Sequence, residues 1–227
     1  MKIVYEDKDQ IVIHKPAGVA TQTARLGEKD LVSEVKNYIA KESGSNNPYV
    51  AVINRLDQPV EGIVLFAKNA KATAALTSQM KDGSMQKFYY ALVFGHMDMP
   101  SGQLTDYMEK DARNNLSRVV SETSQNAKKA ILSYEVKATL EKMQLLEIQL
   151  LTGRHHQIRV QFSHRKHALI GDTKYGLPES ISFSREVQAR VPALCAFCLK
   201  WKHPVTKKDI CVKIDSENTL IQSVYAL

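Results

Sequence analysis

Ile63 to Ala67 form an unbroken apolar run, IVLFA, and no other stretch constrains the fold of this chain as strongly. A strand of that composition is buried on both faces, so the sheet that contains it needs cover on each side. The polar loop NRLDQPVEG, with Pro59 and Gly62, leads into it, and a shorter apolar strand, AVI, precedes that loop. After the run, NAKATAALTSQMKDG reads as an Ala-rich helix with Asn69 as N-cap and Gly83 near its end.

The remaining chain alternates between the two periodicities. KIVYE, a polar DKDQ turn and IVIHK form a hairpin that Pro16 and Gly18 end. Residues 31–42 place Leu31, Val35, Tyr38 and Ile39 at helical spacing. QKFYYALVFG has the β-branched and aromatic content of a strand. Residues 105–130 are polar and aperiodic, and an excursion with little regular structure is expected there. AILSYEVKA and QLLEIQLL are further strands, HHQIRVQFSHR a helix after Thr152–Gly153, and CAFCLKW and DICVKI a closing strand pair with a short helix behind it. Mixed elements with adjacent hairpins indicate an α+β fold: a mixed, largely antiparallel sheet with flanking helices. No linker-like tract divides the chain, so one catalytic domain over 1–227 is expected.

Composition removes several classes. A hydrophobic fraction of 44% with 24% charged residues is that of a globular protein. No apolar run approaches the ~20 residues of a membrane span. The N-terminus MKIVYEDKDQ lacks the apolar core of a signal peptide, so a cytoplasmic location is expected. Cys195, Cys198 and Cys211 do not make a disulfide framework and are expected as buried structural thiols. With His203 they approach a zinc knuckle, but residues three apart on a strand point to opposite faces, so no metal site is expected.

A net charge of +7 suggests a polyanionic partner. The basic residues concentrate in 154–174, with Arg154, Arg159, Arg165, Lys166 and Lys174, and in KWKHPVTKK at 200–208. Cations interleaved with a ring suit phosphate contacts plus base or sugar packing, although solvated basic faces have the same composition.

Single residues decide little here. Asp57, between an apolar strand and a Pro/Gly loop, stands where catalytic residues are often held and also where turn-forming Asp is common. Tyr89 within an apolar strand reads first as a core ring, and Arg159 on a helix as a surface cation.

Ordered motifs change that weighing. Asn54-Arg55-Leu56-Asp57 through Gly62 to Ala67-Lys68 resembles the signature of the RluA-type pseudouridine synthases. YEDKDQIVIHKPAG, KFYYALVFG, LLTGRHHQIRVQFSHRKHALIGDTKYG and LCAFCLKWKHPVT are similar to that family's other motifs, in the family's order. The departures are His14 for Asn, Asn54 for His, His155 for Thr, Ala168 for Pro and Cys195 for His. Asn54 keeps hydrogen-bonding capacity, so altered loop anchoring rather than lost activity is expected.

The resemblance implies a pseudouridine synthase fold with a central RNA-binding cleft. Because the opening motif begins at about Tyr5, it implies a stand-alone catalytic domain without an S4 module. It makes Asp57 the catalytic aspartate, Arg55 the residue that fills the space of the flipped uridine, and Tyr89 the ring stacked on the base. Arg159 becomes the basic partner of the aspartate, and His156 a structural, hydrogen-bonding histidine. The implied reaction isomerises a uridine in structured ribosomal or transfer RNA by base flipping, with the glycosidic bond broken and re-formed. It needs no redox step or added group, so no cofactor is expected. The carboxylate serves as nucleophile or as base, and the residue type does not separate the two. Base–ring stacking contributes roughly 1–3 kcal/mol. An alternative is a non-catalytic RNA-binding protein that keeps the fold, and another is an N-glycosidic hydrolase that releases uracil.

Overall fold

A computed structural model of the protein describes residues 1–23 and 30–225. In chain order the elements are β1 (Lys2–Glu6), β2 (Gln10–Lys15), α1 (Leu31–Ser43), β3 (Ala51–Val52), β4 (Glu61–Ala67), α2 (Ala70–Asp82), β5 (Gln86–Phe94), β6 (Ser101–Asp111), β7 (Leu116–Val120) and β8 (Lys128–Thr139). They continue with β9 (Met143–Leu150), α3 (Gln157–His164), α4 (Pro178–Glu186), β10 (Leu194–Lys202), β11 (Asp209–Lys213) and α5 (Thr219–Tyr225). The α+β class expected from the sequence is the one observed. Among the described residues no helix is long and apolar enough to cross a membrane.

The chain forms two compact units, Met1–Gln86 with Ala196–Ser216 and Lys87–Cys195 with Glu217–Leu227. In the first unit the strand order is β1-β2-β4-β10, with β11 on β10 and β3 on β4. All of β4 is buried, as the IVLFA run requires, and it pairs antiparallel with β2 from Ala67↔Gln10 to Gly62↔Lys15. β3 is shorter and less buried than AVI suggested. Both helices start on side-chain caps: Asp30 accepts from Ser33 N in α1, and Asn69 accepts from Ala72 N in α2. Gly83 then ends α2 in the left-handed conformation, φ 79°, that a residue without Cβ adopts at no steric cost. Ala72 and Leu76 of α2 join Val12, Ile63, Leu65, Leu199 and Trp201 in one apolar core.

The burial of Trp201 corrects the reading of 200–208 as cations around an available ring. Strand alternation sends Trp201 inward, 3% exposed, where Nε1–H donates to Gln10 Oε1 and the ring meets Tyr5 edge-on. Lys200 and Lys202 on either side of it are exposed.

The second unit is an antiparallel meander-like sheet, β5-β9-β8-β6-β7. Here the expected irregular excursion at 105–130 is overturned: β6 and β8 pair over eight registered positions, from Ser101↔Glu135 to Met108↔Lys128, and β7 returns on β6. The alternation is interrupted by a polar residue on the inward face. Leu104 and Met108 are buried, and between them Asp106 accepts from Arg165 Nη1 and Gln161 Nε2, both at 2.7 Å. A strand whose inward positions include a satisfied carboxylate has no apolar period to detect. The short α4 also escapes the sequence reading, because it opens on Pro178 and offers few apolar residues.

Candidate active site and nucleic-acid surface

In the first unit, Asp57 lies in the loop from β3 to β4, and nearly every residue around it is tied down. Asn54, 6% exposed, donates from Nδ2 to Ile63 O (3.0 Å) and accepts Leu65 N–H at Oδ1 (2.8 Å). Its amide therefore docks the loop to β4. Thr21 Oγ1 donates to Leu56 O and accepts from Leu56 N. Gly18 N and Gln58 O bond at 2.9 Å, Gln58 Nε2 returns to Gly18 O, and Val60 N closes a turn on Asp57 O. Asp57 itself is half-buried, and Arg55 beside it is exposed.

Gly62 explains part of the loop's path. Its φ of 135° and its approach to β10, where a Cβ would stand 2.5 Å from Ala196 N, leave room for glycine alone.

Beneath this loop is Lys15, whose side chain is fully buried. Its ammonium donates to Val19 O (2.7 Å), Pro16 O (2.9 Å) and Gln58 O (3.1 Å). Burial pushes its pKa down to about 8, while the charges of Asp57 and then Glu61 resist that shift. Nothing in the sequence marked Lys15 as buried, since a lysine directly before a proline turn is ordinarily exposed. Glu61 in turn takes a hydrogen bond from Ser216 Oγ and stands 4.0 Å from His14 Nε2.

The second unit carries Tyr89 and Arg159. Tyr89 is 6% exposed on β5, opposite Ile148 of β9. Arg159, on α3, is 4% exposed rather than a surface cation, and a fork explains how its charge is tolerated. Nε donates to Asp172 Oδ2 at 2.7 Å and Nη2 to Asp172 Oδ1 at 2.8 Å. Asp172 Oδ1 is itself held by the N–H groups of Lys174 and Tyr175. The Tyr175 ring lies 5.1 Å from the guanidinium carbon.

The Tyr175 hydroxyl accepts from Ser117 N (2.9 Å) and lies 2.6 Å from His156 Nδ1. His156 is neutral at ordinary pH. Burial, then the charges of His155, Arg159, Lys174 and Lys110, hold its pKa down at about 3. It bears φ 56° at the start of α3 and stacks on His155 at 3.6 Å, a hydrogen-bonding role as expected. Gln157, unnoticed in the sequence beyond its motif, knits this corner: its Oε1 accepts from Thr152 Oγ1 and Arg154 N, and its Nε2 donates to Ile131 O.

Asp7, Asp9 and His203 have the composition of a metal site, but the tautomer argues otherwise. His203 Nδ1 accepts from Val205 N and Thr206 N, so the ring proton is on Nε2 and points to Asp7 Oδ2 at 3.0 Å. A nitrogen that keeps its proton is a donor, and cannot ligate a metal. Of the cysteines, Cys195 and Cys198 are buried but Cys211 is exposed, a correction to the expected buried trio. It sits on the open face of β11 with its Sγ 3.9 Å from that of Cys198.

Comparison with known proteins follows the same residues. A family model described as RNA pseudouridylate synthase matches residues 9–164, a span that includes Asp57, Tyr89 and Arg159. An uncharacterised RNA pseudouridine synthase of Mycoplasma pneumoniae is 31% identical over 177 residues, 78% of this chain and 56% of the relative. The ribosomal large subunit pseudouridine synthase D of Zymomonas mobilis is 31% identical over 222 residues, 92% of this chain and 67% of that one. The chain thus spans little more than half the length of the Mycoplasma relative. Among solved structures, human RNA pseudouridylate synthase domain containing 4 aligns with a TM-score of 0.78 at 20% identity, over 99% of this chain and 92% of that one. At that identity the likeness concerns the fold. With a family model matched over more than half its length, the chain belongs to the RNA pseudouridylate synthase family.

Proposed function

We propose that this protein is an RNA pseudouridine synthase that isomerises uridines in structured ribosomal or transfer RNA, with Asp57 acting at the ribose. The observation that carries the reading is the Asp57 loop. A half-buried carboxylate on a peptide tied by Asn54, Thr21, Gly18 and Lys15 is a preorganised reactive group, and it lies within the span matched by the family model. The proposed roles of the other residues are those the motifs imply. Exposed Arg55 enters the space left by the extruded nucleotide, Tyr89 supports the base, and Arg159, aimed by Asp172, supplies positive charge. Isomerisation exchanges a C1′–N1 bond for a C1′–C5 bond within one nucleotide, so side chains and substrate suffice. A uracil in a stem is out of reach, which requires that it be flipped or taken from a loop.

The Zymomonas mobilis relative, named a ribosomal large subunit pseudouridine synthase, supports ribosomal RNA as one substrate class. Target choice is assigned to 19–50 and 100–130; the latter is the β6–β7 ribbon with the start of β8, and residues 24–29 of the former lie outside the described residues. The proposed compartment is the cytoplasm.

Ribosomal and transfer RNA incubated with wild-type protein and with Asp57→Asn, then mapped for pseudouridine, tests the reading. New pseudouridine at one or a few positions with wild type alone is the expected result. Binding without new pseudouridine would replace it with the non-catalytic reading, and free uracil would replace it with a glycosidic hydrolase.

A further inference from the structure

Lys87 is 8% exposed at the start of β5, and among the described residues no carboxylate, carbonyl or hydroxyl accepts from its ammonium. That is an unusual position for a lysine, because buried charges are normally paired. Among the described residues the charge that acts on it has the same sign. Burial, and then the charge of Arg154, lower the Lys87 pKa. Arg154 is exposed and is anchored through Nε to Lys129 O at 2.8 Å, and among the described residues no carboxylate pairs with it. Between the two cations runs Gly153. A Cβ there would lie 3.6 Å from Lys87 Nζ, so the turn carries its main chain past the ammonium, and no acceptor among the described residues takes the Gly153 N–H. The turn is rigid, because Gln157 holds Thr152 and Arg154 on either side of Gly153.

Two adjacent cations without a counter-charge, one of them nine-tenths buried, beside an unused N–H, define a site for an oxyanion. We propose that Lys87, Arg154 and the Gly153 N–H bind one backbone phosphate of the RNA substrate. This rests on the RNA reading above and adds to it a named phosphate contact. The strand gives its place. Lys87 and Tyr89 are two residues apart on β5 and both inward, so they share a face about 7 Å apart along the strand. The phosphate held by Lys87 thus belongs to the nucleotide whose base meets Tyr89, or to its immediate neighbour. A lysine merely extending its ammonium to water would have the same burial, so the test must read phosphate contact and not stability alone.

Lys87→Met keeps the aliphatic stem and removes the charge. Binding of a labelled stem-loop, cut from the RNA that pseudouridine mapping identifies, is measured from 50 to 200 mM KCl for both proteins. Loss of one phosphate contact makes the slope of log K against log salt shallower by about 0.7, with weaker binding at the lowest salt and no fall in Tm. The Arg154→Gln variant, at an exposed position, should show a comparable loss of slope. Wild-type binding with unchanged slope and affinity in both variants would overturn the proposal while leaving the RNA reading intact. Should the wild type bind no RNA, the RNA reading fails and inorganic phosphate decides the site. Stabilisation of wild type by phosphate over chloride at equal ionic strength, lost in Lys87→Met, supports an oxyanion site; an equal response in both overturns it.

Discussion

Arg159 and Asp172 meet in a buried, two-pronged contact, Nε to Oδ2 at 2.7 Å and Nη2 to Oδ1 at 2.8 Å, thirteen residues apart in the chain. A guanidinium gripped along one edge has a fixed plane, so the direction of its remaining edge is set by Asp172 and, through Oδ1, by the N–H groups of Lys174 and Tyr175. The Gly-Asp-x-x-Tyr-Gly stretch thereby sets the orientation of an arginine on α3.

Asp172→Asn should accordingly lose both stability and turnover. Breaking a buried ion pair from one side costs about 3–5 kcal/mol. Thermal unfolding should show a large fall in Tm, and single-turnover pseudouridine formation should slow more than RNA affinity weakens. A folded Asn variant with the wild-type rate would show that the fork serves stability alone.

Asn54→Ala removes the two bonds that dock the Asp57 loop to β4. Leaving Ile63 O and Leu65 N without that partner costs about 1–3 kcal/mol. The expected kinetic signature is a lower rate constant with RNA affinity little changed, since Asp57 loses its position rather than the RNA its surface. An unaltered rate in a folded variant would detach Asn54 from the placement of Asp57.

Lys15→Met should destabilise the first unit, because the carbonyls of Pro16, Val19 and Gln58 lose a shared donor, at a cost of about 1–3 kcal/mol. The pH dependence has a definite sign. The folded pKa of about 8 lies below the ordinary 10.5, so the folded protein releases this proton first. This group's contribution to stability therefore grows as pH rises from about 8 to 10.5. Denaturant titrations at pH 7.5 and 10 should show the gap between wild type and Lys15→Met widening; a constant gap would argue against a depressed lysine.

His156 has the opposite end of the pH scale. Its folded pKa of about 3 lies below the ordinary 6.5, so its contribution is complete above pH 6.5 and is lost as the pH falls toward 3. Asn tolerates the left-handed backbone at this position and can accept from the Tyr175 hydroxyl. His156→Asn should thus lose less stability than wild type between pH 6.5 and 4, as followed by circular dichroism. Parallel acid profiles would mean that folding does not depress the His156 pKa.

The chain's own sequence determined the features that depend on near neighbours. Ile63–Ala67 had to be a doubly covered strand, Asn69 and Gly83 had to bracket α2, and Leu31, Val35 and Ile39 had to face a core, because period and cap chemistry act over a few residues. The motifs also singled out Asp57, Arg55, Tyr89 and Arg159 as candidates. Tertiary structure alone decided what surrounds a polar side chain. Lys15 is buried because Gln58, 43 positions away, brings it a carbonyl, and Asp106 can occupy the inward face of β6 because Arg165 and Gln161 reach it from α3 and its C-terminal cap. Trp201 turned inward, away from the basic surface its neighbours suggested, because β10 alternates. The desolvation cost of a charge or an amide is set by partners distant in sequence, and only the folded chain brings those partners within hydrogen-bond distance.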